Sequence, residues 1–138
     1  MESEQIYNGI KVSFTDRGAG DTIVLLHGYL ESKHIWDPLA DILTERFRVI
    51  TIDLPGHGIS GVASETHTME FMAGAVKAVI DSLGIKSVFM TGHSLGGYVT
   101  LAFLELYPGS IAGYSLFHSH ANPDSEAAIS NRRREIKV

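Results

Sequence analysis

The sequence contains no cysteine. That absence excludes a disulfide-stapled scaffold, a thiolate zinc site and a cysteine nucleophile together. Positive charge is also scarce: 11 Lys plus Arg stand against 16 Asp plus Glu, for a formal net charge of −5. Such a balance does not suit a polyanion, so no nucleic acid partner is expected. The basic residues that cluster late, Arg132, Arg133, Arg134 and Lys137, fit a solvated helix end better than a basic binding tail. No apolar run approaches the roughly 20 residues needed to cross a bilayer, and no membrane partner is expected. Met1-Glu2-Ser3-Glu4 is acidic and polar where a secretory signal would be basic and then apolar, which points to the cytoplasm. Internal repeats, linkers and low-complexity stretches are missing too.

What remains is a chain of 138 residues, 44% hydrophobic and 20% charged, the size and balance of one folded domain. It opens with Gln5-Ile6-Tyr7, then Asn8-Gly9, then alternating Ile10, Val12 and Phe14. Asn-Gly tolerates the positive φ angles of a type I′ turn, so an antiparallel hairpin is predicted. Further on the apolar runs are short, unbroken and β-branched, at Thr22 to Leu26, Arg48 to Ile52 and Ser87 to Met90, and Ile111 to Phe117 reads as another strand. Unbroken runs suit parallel strands covered on both faces.

Between these runs lie helical periods. Asp37-Pro38 is a natural N-cap and first-turn pair for a helix burying Leu39, Ile42 and Leu43. Met69, Met72, Ala73, Val76, Val79, Ile80 and Leu83 recur every three or four residues, after a capping Thr68 and before a stop at Gly84. A third helix is predicted from Ser94 to Tyr107, apolar nearly all round and therefore central, ending at Pro108-Gly109. A polar helix is expected from Pro123 onward. The order is a hairpin followed by alternating strands and helices, so the predicted class is α/β: a mostly parallel sheet with helices on both faces. Sites in such sheets form where strands end and helices begin.

The turn after Met90 reads Thr91-Gly92-His93-Ser94-Leu95-Gly96-Gly97. A bare G-x-S-x-G pattern carries little, but this one falls between a predicted strand and a predicted helix. There, a sharp turn forces its central residue into a strained backbone, and small residues two before and two after let strand and helix approach. Gly92 and Gly96 hold those positions, and the turn lifts the Ser94 hydroxyl above the sheet edge. The plainer reading is a glycine-rich turn with a capping serine. After Leu26 comes His27-Gly28-Tyr29-Leu30. Backbone N–H groups of Tyr29 and Leu95 are placed to stabilise the negative oxygen of a carbonyl under attack, with Gly28 leaving room for it. His27, at a strand end, reads as a loop organiser rather than a base.

Leu25-Leu26-His27-Gly28, Asp53-Leu54-Pro55-Gly56-His57-Gly58 with Ser60, and Gly92-His93-Ser94-Leu95-Gly96-Gly97 resemble, in order and spacing, three motifs of the α/β-hydrolase fold superfamily. The likeness runs over essentially the whole chain and is specific for fold, not for substrate. It implies Ser94 as nucleophile, Tyr29 and Leu95 as oxyanion donors, and Asp53 and His57 as loop-shaping residues. Trp36 either lines the pocket or covers the core.

A serine nucleophile needs a base, and the base needs a carboxylate. In the superfamily both follow the nucleophile on later strands, acid before histidine. Here only His118 and His120 follow Ser94, with Asp124 after them, which reverses that order. They read best as polar residues near the start of a lid, about 121–138, rather than as a base or as a His-x-His metal site. The resemblance thus implies the amino-terminal half of a serine hydrolase acting on a carboxylic ester or related acyl compound, without metal or organic cofactor. Carbon–carbon cleavage and peracid formation use the same machinery. Dehalogenases and epoxide hydrolases place Asp where Ser94 stands. These residues alone are expected to be nearly inert, with an exposed last strand that seeks a carboxy-terminal fragment or a second copy. The rival is a non-catalytic half-fold kept for binding.

Overall fold

The computed structural model describes residues 2–64 and 66–117. His118, His120, Asp124, the polar helix after Pro123 and the lid region lie outside the described residues.

Asn8 (φ 47°) and Gly9 (φ 81°) both adopt the left-handed conformation, closing the predicted hairpin between β1 (Glu2–Tyr7) and β2 (Ile10–Arg17). Next come β3 (Thr22–Leu26), α1 (Asp37–Leu43), β4 (Arg48–Ile52), α2 (Met69–Ser82), β5 (Val88–His93), α3 (Leu95–Leu106) and β6 (Ile111–Phe117). The six strands form one sheet in the order β1-β2-β4-β3-β5-β6. β2 pairs antiparallel with β4, and β4, β3, β5 and β6 run parallel.

The unbroken apolar runs have the expected cause. In β3 and β4, Val24, Leu26, Ile50 and Ile52 point into a core under α2 and α3, whereas Leu25 and Val49 pack on the other face with Trp36 and Ala40. Each such buried side chain contributes about 1.5–3 kcal/mol, which is why the one charge in these two strands, Arg48, stands at the end of β4 rather than in its buried middle. Thr68 Oγ accepts from the Phe71 N–H at 3.0 Å to cap α2, and Gly84 (φ 69°) ends it.

Four expectations are corrected. β5 does not stop at Met90; pairing continues to Gly92 against Leu26 and to His93 against Phe117, so the turn begins only at Ser94. Asp37 does not cap α1, because a 3-10 turn over Lys33–Trp36, capped by Ser32, leads into it; the Asp37 carboxylate meets His34 Nδ1 at 2.9 Å instead. Of the residues α1 was expected to bury, Leu39 and Ile42 are 40% and 66% exposed, since the helix turns Trp36, Ala40 and Leu43 to the sheet. α3 is less central than its composition suggests: Val99, Ala102 and Phe103 are buried, but Leu106 is exposed.

Parallel strands end at the same edge of the sheet. The segments after β3, β4 and β5 therefore converge there. No helix of the described residues is long and apolar enough to cross a membrane.

Candidate active site

Ser94 adopts φ 51°, ψ −110° between β5 and α3. A side chain other than glycine costs about 1–3 kcal/mol there, so the surroundings must hold it. They do so on both sides. The Ser94 N–H donates to the Phe117 carbonyl at 3.1 Å, and its own carbonyl accepts from Gly97 N–H at 2.9 Å. A Cβ at Gly92 would run into the Gly96 carbonyl, and one at Gly96 into the Leu26 carbonyl, with His27 O at 2.7 Å. Only glycine at both positions allows strand and helix to come this close. Leu95 opens α3, and its N–H is among the first-turn donors that have no acceptor within their own helix.

The segment after β3 is tied down through backbone groups. His27 is fully buried; its Nε2 accepts from the Leu54 N–H at 3.0 Å, so Nδ1 carries the proton and donates to the Gly28 carbonyl at 2.8 Å. Burial pushes its pKa down and keeps it neutral. Both ring nitrogens are thus spent on joining two loops. Leu30 takes φ 59° in a turn that the Glu31 N–H closes on the Gly28 carbonyl at 3.2 Å. Glu31 Oε1 then accepts from the Gly28 N–H at 2.8 Å and meets His93 Nδ1 at 2.8 Å. The space a Cβ at Gly28 would need is filled by Glu31 Oε1 and, at 2.9 Å, by His93 Nδ1. Glycine at 28 therefore makes room for these two side chains, a different reason from the one its position in the sequence suggests. His93 also meets the ring of Trp36 edge-on, with centroids 6.4 Å apart. Trp36 itself is buried in the core beneath, which decides between the two readings open for it.

The segment after β4 is held by buried charge. Asp53 Oδ1 accepts from the Lys33 N–H at 2.7 Å, and Oδ2 from Lys33 Nζ at 2.9 Å and from the Ile59 N–H at 3.1 Å. Both side chains are 1% exposed. Lys33 Nζ also reaches Ser13 Oγ at 3.0 Å and Glu2 at 2.7 Å. Burial alone would raise the Asp53 carboxyl's pKa, but the Lys33 amide and ammonium with the Ile59 amide prevail and hold it below its ordinary value. For Lys33, burial pulls down while Glu2 and Asp53 push up, and the net direction is up. The pair is therefore ionised. Ser60 Oγ donates to the Asp53 carbonyl at 2.6 Å and accepts from Ser13 N–H at 2.8 Å.

Between these segments lies an open cleft of about 540 Å³. Tyr29 and Leu95 both line it, with Pro55, His57 and the α2 residues Met69 and Met72. His57 packs against Tyr29 and His27, at ring separations of 6.2 and 5.0 Å. A larger hollow of about 690 Å³ lies at the opposite end of the strands, by Thr22, Ile23, Val88 and Phe89. No cluster of His, Asp and Glu suited to a metal occurs among the described residues. Sequence reasoning missed Glu31 and Lys33. The one available hint is that Lys33 is the only Lys or Arg between Arg17 and Arg46.

The profile of the alpha/beta hydrolase fold matches residues 21–134. The chain belongs to the α/β-hydrolase family. A thermophilic esterase from Thermogutta terrifontis superposes with a TM-score of 0.88 at 35% identity, covering 97% of this chain and 51% of that one. The pimeloyl-[acyl-carrier protein] methyl ester esterase of Methylococcus capsulatus is 37% identical over 99 residues, 72% of this chain and 37% of that protein. The dihydrolipoyllysine-residue acetyltransferase component of the acetoin cleaving system of Cupriavidus necator is 38% identical over 97 residues, 67% of this chain and 25% of that protein. This α/β-hydrolase chain thus spans between a quarter and about half of the length of these relatives.

Proposed function

We propose that the protein is a serine hydrolase of carboxylic esters or related acyl compounds, with Ser94 as its nucleophile. The Ser94 hydroxyl oxygen attacks the carbonyl carbon while a histidine from beyond the described residues, steadied by a carboxylate, takes the proton. The carbonyl oxygen becomes an oxyanion and accepts from the N–H groups of Tyr29 and Leu95, each such donor contributing about 10²–10³-fold to the rate. Collapse breaks the C–O bond, the alcohol leaves with the histidine's proton, and water then cleaves the acyl-enzyme by the same steps. His27, Gly28, Gly92, His93 and Gly96 support the geometry. No metal or organic cofactor enters this scheme.

The observation that carries this reading is the positive φ of Ser94 in a bend whose next residue, Leu95, lines a cleft together with Tyr29. The esterases among the relatives favour an ester over other acyl substrates. In the whole protein, Ser94→Ala is expected to lower turnover of a p-nitrophenyl ester by at least 10³-fold while leaving the thermal midpoint within a few degrees. Turnover unchanged in that variant would remove Ser94 from the chemistry.

A second reading, a half-fold that acts through association, draws on β6. Among the described residues it pairs only with β5, and its Tyr114 and Phe117 are 44% and 52% exposed. An edge of this kind favours pairing with a carboxy-terminal segment or a second copy. Sedimentation of residues 1–138 tests it: association supports the reading, and a soluble, monodisperse monomer contradicts it.

A further inference from the structure

Glu31 joins the two segments that carry the Tyr29 and Leu95 amides. One carboxylate oxygen, Oε1, takes the Gly28 N–H at 2.8 Å on one side and faces His93 Nδ1 at 2.8 Å on the other. Gly28 immediately precedes Tyr29, and His93 immediately precedes Ser94. The backbone N–H of the same residue closes the turn onto the Gly28 carbonyl, so both peptide groups flanking Gly28 are fixed by residue 31. The Gly28–Tyr29 peptide that this carbonyl belongs to also carries the Tyr29 N–H. Its rotation about the chain is therefore set from residue 31 and, through the same carbonyl, from His27 Nδ1. Glycine at 28 is what makes the junction possible, because any Cβ there would occupy the place of Glu31 Oε1. Leu30, held at φ 59° and largely exposed, is the strained link that brings residue 31 back over Gly28.

We propose that Glu31 is a positioning residue for the oxyanion site: its carboxylate fixes the spacing between the Gly28–Tyr29 peptide and the Ser94 bend by bridging Gly28 N–H and His93. This rests on the reading of Ser94 as nucleophile. The effect falls on the transition state, since the charge that the Tyr29 N–H meets develops only after attack. Losing the bridge therefore lowers kcat and leaves KM nearly alone.

The test uses the whole protein and three variants. Glu31→Met keeps the length of the side chain and removes the acceptor; Glu31→Gln keeps an acceptor oxygen at the same reach; Ser94→Ala is the control. With a p-nitrophenyl ester, Glu31→Met is expected to lose roughly 10- to 100-fold in kcat, as misplacing one donor does, with KM changed by less than about twofold. Glu31→Gln is expected to recover most of that loss. In hydrogen exchange, the Gly28 amide of the wild-type protein is expected to be protected, and Glu31→Met to lose that protection at least tenfold while the Val99 and Phe103 amides of α3 keep theirs. Wild-type kcat in Glu31→Met beside an inactive Ser94→Ala overturns the positioning role and leaves the nucleophile standing. An active Ser94→Ala overturns both. A Gly28 amide that exchanges at the rate of an unstructured glycine in the wild-type protein overturns the bridge without recourse to any variant.

Discussion

The two walls of the cleft are fastened by opposite means. The segment after β4 hangs on Asp53 and Lys33, an ion pair sealed from water and surrounded by additional donors and acceptors. The segment after β3 and the Ser94 bend hang on Glu31 and His93, a pair left partly open to solvent. Buried charge without its partner is far costlier than exposed charge without one. The first wall is consequently a matter of folding, and the second a matter of alignment. A site that must be rigid in one place and exact in another has been given a separate device for each.

The largest effect is expected at Asp53. Asp53→Ala strands a buried ammonium with only the partly exposed Glu2 and Ser13 to receive it, and is expected to destabilise the fold by about 3–5 kcal/mol, read by urea denaturation. Acid offers the same lever. The Asp53 carboxyl is held below its ordinary 3.8, so the pair stabilises fully above that value and its contribution drains away as pH falls through the lowered folded value. Wild-type denaturation midpoints should therefore fall steeply on that limb, and Asp53→Asn should flatten it. On the elbow side, Gly92→Ala drives a Cβ into the Gly96 carbonyl and is expected to cost about 1–3 kcal/mol by overpacking, seen as a lowered thermal midpoint. Glu31→Gln sharpens the contrast: a loss of under about 1 kcal/mol is expected in the same urea titration, because its pair is partly solvated. Lys77→Ala, which removes an exposed i,i+4 pair with Asp81 far from either wall, sets the floor at about 0.3–0.5 kcal/mol.

Much of the scaffold was legible because it is written in local pattern. Thr22–Leu26 and Arg48–Ile52 carry short apolar, β-branched runs, Ile111–Phe117 reads as a further strand, and Thr68 and Gly84 punctuate α2 by well-defined backbone rules. The turn at Ser94 was legible for the same reason, since its glycines are demanded by a close approach that any chain making this bend must solve. α1 was misread because seven residues give too short a period to choose a face, and Leu39 and Ile42 went outward. β5 ran longer than its apolar stretch because pairing with β6, not composition, sets its end. Glu31 and Lys33 were invisible since their partners lie 62 and 20 residues away, and no spacing rule links them. What fastens the walls of the cleft is thus the part that only the folded chain displays.

On the proposed reading, the strained bend presents the Ser94 hydroxyl as an activated nucleophile. Treating the whole folded protein with a fluorophosphonate probe and mapping the adduct by mass spectrometry tests it most directly. A single phosphonylated residue, Ser94, is expected, with labelling abolished by Ser94→Ala. A folded protein that stays unlabelled, or carries the adduct on another residue, would contradict it.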